Sequence, residues 1–233
     1  MEVRLIAFTP EPEKVVAAAA RLCYSSGAVP ELLSGLEAEN SARLVEKLYK
    51  MGHLSTFEHA SFQFSVDGVS RALSHQLVRH RIASYAQRSQ RYVRETGFSF
   101  VTPPSVRENP EALRRFQAAM EFLRDGYEAL AREVPPEDAR YILPNACATS
   151  LLVTMNARAL LHFFELRACT RAQWEIRELA RRMLALAREA APHLFRLAGP
   201  PCETGGVCPE GEMSCKRGKA RNQHAEQLSH RET

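Results

Sequence analysis

The chain has 233 residues with 45% hydrophobic content, enough to bury a sizeable core, and a formal net charge of only +4 with its basic residues spread along the sequence. That distribution weakens a generic nucleic-acid binder relative to discrete anion pockets. No 18-residue apolar run occurs, and the start Met1-Glu-Val-Arg-Leu-Ile-Ala-Phe lacks a basic region followed by a long apolar stretch, so no membrane span and a cytoplasmic location are expected.

In chain order, Val3 to Phe8 is a short strand candidate ended by Thr9-Pro10. Helical spacing follows over Pro12 to Tyr24 and over Ala42 to Met51, with a Gly/Pro/Ser-bearing loop between them. Phe62, Phe64 and Val66 alternate with Gln63, Ser65 and Asp67, the period of a half-buried strand. Val69 to Val78 can form a short helix. Pro110 to Val134 reads as a long helix with Pro in its first turn, ended by Pro135-Pro136. A short helix over Glu137 to Leu143, a strand over Ser150 to Met155 and helices over Ala157 to Ala168 and Ala172 to Leu194 complete the pattern. Strands and helices do not alternate as in a doubly wound fold, so the expected class is α+β, a mixed sheet packed with long helices. One domain over 1–199 and a flexible Gly/Pro/charged tail over 200–233 are expected.

Residues 79 to 92, Arg-His-Arg-Ile-Ala-Ser-Tyr-Ala-Gln-Arg-Ser-Gln-Arg-Tyr, are the hardest to explain as scaffold. Guanidinium groups at this density repel one another unless an anion neutralises them, and each offers a planar fork that suits phosphate oxygens. Successive helical residues point ~100° apart, so Arg79, His80 and Arg81 cannot share one helical face and are expected to mark a helix end. A solvated basic loop and a nucleic-acid contact are the competing readings.

Around His53-Leu-Ser-Thr-Phe-Glu58-His59, the spacing Ser55-x-x-Glu58 reads as a capping box at a helix start. Leu160, Leu161, Phe163, Phe164 and Leu166 surround the helix carrying Arg158, His162 and Arg167, so that helix is expected to be largely buried, with Glu165 and Glu175 as partners for its Arg and His. No Gly-x-Gly-x-x-Gly, Walker-type or Gly-x-Ser-x-Gly element is present. Cys23, Cys147 and Cys169 read as core residues without signs of activation. The chain offers anion binders and no covalent catalyst, so a cofactor is expected to carry any chemistry.

Arg79-His80-Arg81, followed after seven residues by Ser89 and then Arg91-Tyr92, resembles the signature of the flavin-dependent thymidylate synthases. His53-x-Ser55-x-x-Glu58-His59, Gln76, Glu137-x-x-Arg140, Asn156-Ala-Arg158, and Leu166-Arg167 with Ala172-Gln173-Trp174-Glu175-Ile176 extend the likeness over most of residues 1 to 200. The resemblance implies dTMP formation from dUMP with FAD, NADPH and methylenetetrahydrofolate, in a homotetramer whose active sites are shared between subunits. It implies FAD contacts from Ser55, Arg79, His80, Arg81, Gln87, Asn156, Arg158 and His162. It implies dUMP contacts from Gln76, Arg79, Gln87, Arg88, Ser89, Gln90, Arg91, Arg140 and Arg167, with the phosphate near Ser89 and Arg91. Arg167 takes the catalytic role, favouring ionisation at N3 of the pyrimidine and so activating C5. Ala86 stands where relatives often have Asn or Ser, Gln87 where some have Glu, and His162 where some have Asn. An Arg-rich RNA-binding module or a non-catalytic nucleotide-binding regulator is the alternative.

The tail cysteines Cys202-x5-Cys208-x6-Cys215 match no common zinc-finger spacing, and zinc there would need a fourth ligand such as His224; no metal site is assigned.

Overall fold

A computed structural model describes residues 1–216. His224 and the rest of the tail lie outside the described residues. The elements in chain order are β1 (Glu2–Phe8), α1 (Pro12–Leu22), α2 (Val29–Ser34), α3 (Ala38–Lys50), a 3-10 turn (Leu54–His59), β2 (Ser61–Ser70), α4 (Arg71–Leu77), β3 (Ser84–Gln87), α5 (Pro104–Arg107) and α6 (Pro110–Glu133). There follow α7 (Pro136–Ala139), a second 3-10 turn (Arg140–Ile142), β4 (Ala148–Asn156), α8 (Ala157–Arg167), α9 (Trp174–Ala190), α10 (Pro192–Phe195) and a third 3-10 turn (Gly211–Met213). The fold is a mixture of many helices and one small sheet, as the pattern of elements predicts.

The chain divides into two compact units, the first formed by Met1–Ile6 and Gln63–Thr154, the second by Ala7–Phe62 together with the chain from Met155 onward. The first unit carries the sheet, ordered β1-β2-β4-β3. Alternation places Phe64 and Val66 of β2 and Leu151 and Val153 of β4 in the interior, while Leu152 faces outward. β3 runs antiparallel to β4, with Ser84 opposite Thr154 and Gln87 opposite Leu151. A satellite core of Tyr127, Ala131 and Ala139 lies under α6 and α7. In the second unit, Phe195 packs edge-on against both Phe62 and Phe164, and Ala17, Ala18 and Leu36 form a small core beneath α1.

Five readings of the sequence need correction. The loop between the first two helices contains α2, and the cationic stretch contains the strand β3. The turn at Leu54–His59 is a 3-10 helix whose cap is His53, with no side-chain capping bond, so Ser55 and Glu58 do not form a capping box. α8 is not buried all round: Leu160, Leu161, Phe163 and Phe164 are interior, but Leu166 is 45% exposed and Arg158 and His162 face outward. Cys23 is exposed, not a core residue.

Candidate active site

In the first unit the cationic motif is shaped by backbone bonds at its start and by pairing with β4 at its end. α4 closes with the amides of Arg79 and His80 donating to the carbonyls of Gln76 and Leu77, which places Arg79-His80-Arg81 just past a helix end as the sequence predicts. Tyr85 on β3 locks that bend, its hydroxyl donating to the carbonyls of both Leu77 and His80 at 2.9 Å. Burial pushes the Tyr85 phenol up to about 12, so it remains a donor throughout the neutral range. Sequence reading gave Tyr85 no role.

Beyond β3 the backbone amide of Arg88 donates to the carbonyl of Ser150, and its guanidinium to the Ser150 hydroxyl at 3.1 Å. Ser89 Oγ accepts from the Arg91 amide at 3.2 Å, which leaves the hydroxyl proton as a donor to a ligand. Arg91 meets Glu137 Oε2 at 3.1 Å through Nε and 3.0 Å through Nη2, while Arg140 Nε donates to the Glu137 carbonyl at 3.1 Å. The first turns of the segment after Pro135-Pro136 thus bring Arg91 and Arg140 to one residue. Gln90 is buried, its amide 3.8 Å from the Cys147 sulfur, and Gln87 reaches the Thr149 hydroxyl at 3.4 Å.

Arg71, also unassigned from sequence, joins this cluster. Its guanidinium lies 3.5 Å from the Arg88 carbonyl, and its pKa is held below the ordinary value first by burial and also by the like charge of Arg140. Ser70 caps α4 by accepting from the Leu73 amide, so Arg71 is the first helical residue, where a cation opposes the helix dipole. That local conflict was the available signal. Cys147 is fully buried, and burial pushes its thiol up to about 11, so at neutral pH it is a protonated core sulfur and not a nucleophile.

The second unit holds the other group of implied residues. Asn156 caps α8, its side chain accepting from the Ala159 amide at 2.8 Å, which leaves its amide nitrogen as the donor. Arg158 follows in the first turn and bonds Glu58 Oε1 at 2.6 Å. His162 is one turn further on the same exposed face, its Nδ1 4.0 Å from Glu165 Oε2. Ser55 lies exposed on the 3-10 turn that also carries Glu58. Arg167 is the last residue of α8 and is half-buried. Glu175 is buried at the start of α9, where Gln173 accepts from its amide at 3.0 Å. Gln76, Arg79, His80, Arg81, Gln87, Arg88, Ser89, Gln90, Arg91 and Arg140 therefore belong to the first unit, and Ser55, Asn156, Arg158, His162 and Arg167 to the second.

The chain is similar to known proteins over most of its length. A family profile described as thymidylate synthase complementing protein matches residues 4–193. A flavin-dependent thymidylate synthase of Geobacter sulfurreducens is 54% identical over 223 residues, covering 94% of this chain and 95% of that protein. One of Clostridium tetani is 46% identical over 237 residues, covering 94% of each. Among solved structures, a UMP/dUMP methylase, PolB from Streptomyces cacaoi, bound with 5-Br dUMP, superposes with a TM-score of 0.73 at 25% identity, covering 84% of this chain and 93% of that one.

Proposed function

We propose that this chain, which belongs to the flavin-dependent thymidylate synthases, forms dTMP from dUMP by reductive methylation, with methylenetetrahydrofolate as carbon donor and NADPH as reductant. The observation that carries the reading is the concentration of guanidinium groups in the stretch around Ser89: Arg71, Arg88, Arg91 and Arg140 belong to one unit, against the Glu137 carboxylate bonded to Arg91 and the Glu95 carboxylate that acts on Arg71. Such a set has excess positive charge that a phosphate dianion neutralises.

In this reading the Ser89 hydroxyl donates to a phosphate oxygen of dUMP and Arg91, steadied by Glu137, supplies the opposing charge. Gln87 and Gln90 present amide groups, and Gln76 and Arg79 line the approach from α4. Arg167 is the catalytic residue. A guanidinium cannot take a proton at neutral pH, but its fixed charge beside the pyrimidine stabilises the ring ionised at N3 and so raises electron density at C5.

The donor set of the second unit fits a flavin dinucleotide: Arg158 and His162 share an exposed face, Ser55 offers a hydroxyl, and Asn156 keeps its amide nitrogen as a donor. The family resemblance assigns Arg79, His80 and Arg81 to the flavin as further cationic donors. Arg158 sits at a helix N-terminus, where its charge is tolerated because Glu58 opposes it; an anionic pyrophosphate would serve the same purpose. FAD, when bound, supplies the hydride and mediates methylene transfer that none of these side chains provides.

We assign this activity to residues 1–199, in line with the family match ending at 193, and the remainder to a C-terminal extension. The assembly is a homotetramer with shared sites, a reading supported by the opposite placement of Arg158 and Arg167, which nine residues of regular helix separate by ~180°. No helix of the described residues is long and apolar enough to cross a membrane, and a cytoplasmic setting suits soluble substrates. The test is a spectrum: the purified protein should carry flavin absorbance that bleaches with NADPH, and should convert dUMP to dTMP when the folate is supplied. A colourless protein that takes up no FAD, yet binds RNA with a steep salt dependence, would replace this reading with an Arg-rich RNA binder.

A further inference from the structure

The loop that follows the cationic stretch returns to the place it left. At its start the buried Gln90 lays its side-chain amide 3.8 Å from the Cys147 sulfur. At its end Phe100 bridges to Cys147, the Ala148 amide donating to the Ser99 carbonyl at 2.8 Å and the Val101 amide to the Ala146 carbonyl at 2.9 Å. α6 fastens the stretch between. Arg94 donates to the Ala131 carbonyl at 2.7 Å, and the fully buried Tyr127 accepts from the Glu95 amide through its hydroxyl at 2.9 Å. Arg124 donates to the Phe98 carbonyl at 2.9 Å while lying over the Phe98 and Phe100 rings. A loop closed on Cys147 and clasped along α6 keeps its middle inside.

Glu95 sits in that middle. It is 7% exposed, and its Oε1 is buried with no hydrogen-bond partner among the described residues. A buried carboxylate is costly unless an opposite charge lies near. Arg71 is the cation that the fold brings to this place: its amide donates to the Cys147 carbonyl at 3.1 Å, which seats the first turn of α4 on the same residue that both ends of the loop touch. Burial lowers the Arg71 pKa, and Cys147 and then the Glu95 carboxylate oppose that shift; burial first and then Glu95 raise the Cys147 thiol. The Arg71 guanidinium reaches the Arg88 carbonyl at 3.5 Å, the outer limit of a hydrogen bond, so that contact alone does not fix it.

We propose that Glu95 is a positioning residue of the phosphate site: its enclosed carboxylate is the counter-charge that holds the Arg71 guanidinium beside Arg88, at the edge of the Ser89 turn. This role rests on the cluster's being the phosphate site of the proposed function, and it lets a residue that does not touch the ligand control its affinity. A carboxylate facing the nucleotide directly would repel its phosphate, and removing it would tighten binding. One that acts through Arg71 weakens binding when it is removed.

The experiment titrates dUMP and deoxyuridine calorimetrically into the full-length wild-type protein, Glu95→Gln, Arg71→Ala and the double variant. In the wild type the phosphate should strengthen binding by at least ~10-fold; without that preference the phosphate site itself is refuted, and the role of Glu95 with it. Glu95→Gln should lose about 5-fold or more of the phosphate's advantage with deoxyuridine affinity unchanged, and should add nothing to the loss in Arg71→Ala. With the wild-type preference present, a retained or enlarged preference in Glu95→Gln, equal losses for both ligands, or additive losses in the double variant would each overturn the role while leaving the phosphate site standing. If Glu95→Gln does not fold, Arg71→Ala keeps the test: a buried carboxylate left without its counter-charge should lower the thermal midpoint by roughly 3 °C or more, and an unchanged midpoint would overturn the pairing.

Discussion

The two groups of candidate site residues are built on different electrostatic plans. In the second unit each exposed cation of α8 stands beside a carboxylate: Arg158 with Glu58, and His162 with Glu165. In the first unit Arg71, Arg88, Arg91 and Arg140 meet fewer carboxylates: Glu137 bonds Arg91 through its carboxylate and Arg140 only through its backbone carbonyl, while Arg71 feels both the Glu95 carboxylate and the like charge of Arg140. A balanced face is stable when empty and can exchange its carboxylate for a ligand's pyrophosphate. An unbalanced one is held by the scaffold, and a dianion would relieve it.

Arg167→Ala should give the largest effect. Removing a fixed charge from the reacting ring is expected to lower the rate of dTMP formation by ~10²–10³-fold, whereas NADPH oxidation by flavin-loaded protein persists, as steady-state assays of both half-reactions would show. If Arg167 acted only in folding, both would fall together. Ser89→Ala is next: losing one hydrogen bond to a charged phosphate should weaken dUMP binding by about 10-fold with turnover retained. Complete loss of methylation at normal dUMP affinity would make Ser89 a nucleophile and remove it from the phosphate site.

Tyr85→Phe probes how the first unit holds its unbalanced cluster. It removes both bonds to the Leu77 and His80 carbonyls and should cost about 1–2 kcal/mol in chemical denaturation. The pH dependence follows from the same phenol. Its folded pKa of about 12 lies above the ordinary 10.0, and the Cys147 thiol at about 11 lies above 9.0, so both groups stabilise the fold while neutral. That stability is complete below pH 9 and is lost as pH rises through 11 and 12. The melting midpoint should therefore fall across this range, and Tyr85→Phe should flatten its upper part. Arg158→Ala, by contrast, breaks an exposed pair whose contribution to stability is under about 1 kcal/mol, yet it should reduce flavin retention on gel filtration. A large loss of stability with unchanged flavin content would show Arg158 to be structural.

The sequence made some of this legible for physical reasons. Phe62, Phe64 and Val66 alternate because one face of β2 is interior, and all three are fully buried. β3 escaped because it is four residues at the end of the sheet order, pairs with β4, and needs no apolar alternation. α2, Val29–Ser34, is six residues, too short for a period to show. The capping-box reading of Ser55 and Glu58 failed because the turn is 3-10 and Glu58 is engaged by Arg158, a hundred positions away. Arg71 and Tyr85 act through neighbours brought by the fold, and only the cation at a helix start gave Arg71 away.

In the proposed function the first unit's guanidinium cluster reads the phosphate of dUMP. Calorimetric titration of dUMP and of deoxyuridine into the wild-type protein and into Arg91→Ala measures this directly. The phosphate should strengthen binding to the wild type by at least ~10-fold, and Arg91→Ala should erase most of that advantage while deoxyuridine binding stays the same. Equal losses for both ligands, or an undiminished preference for dUMP in the variant, would contradict it.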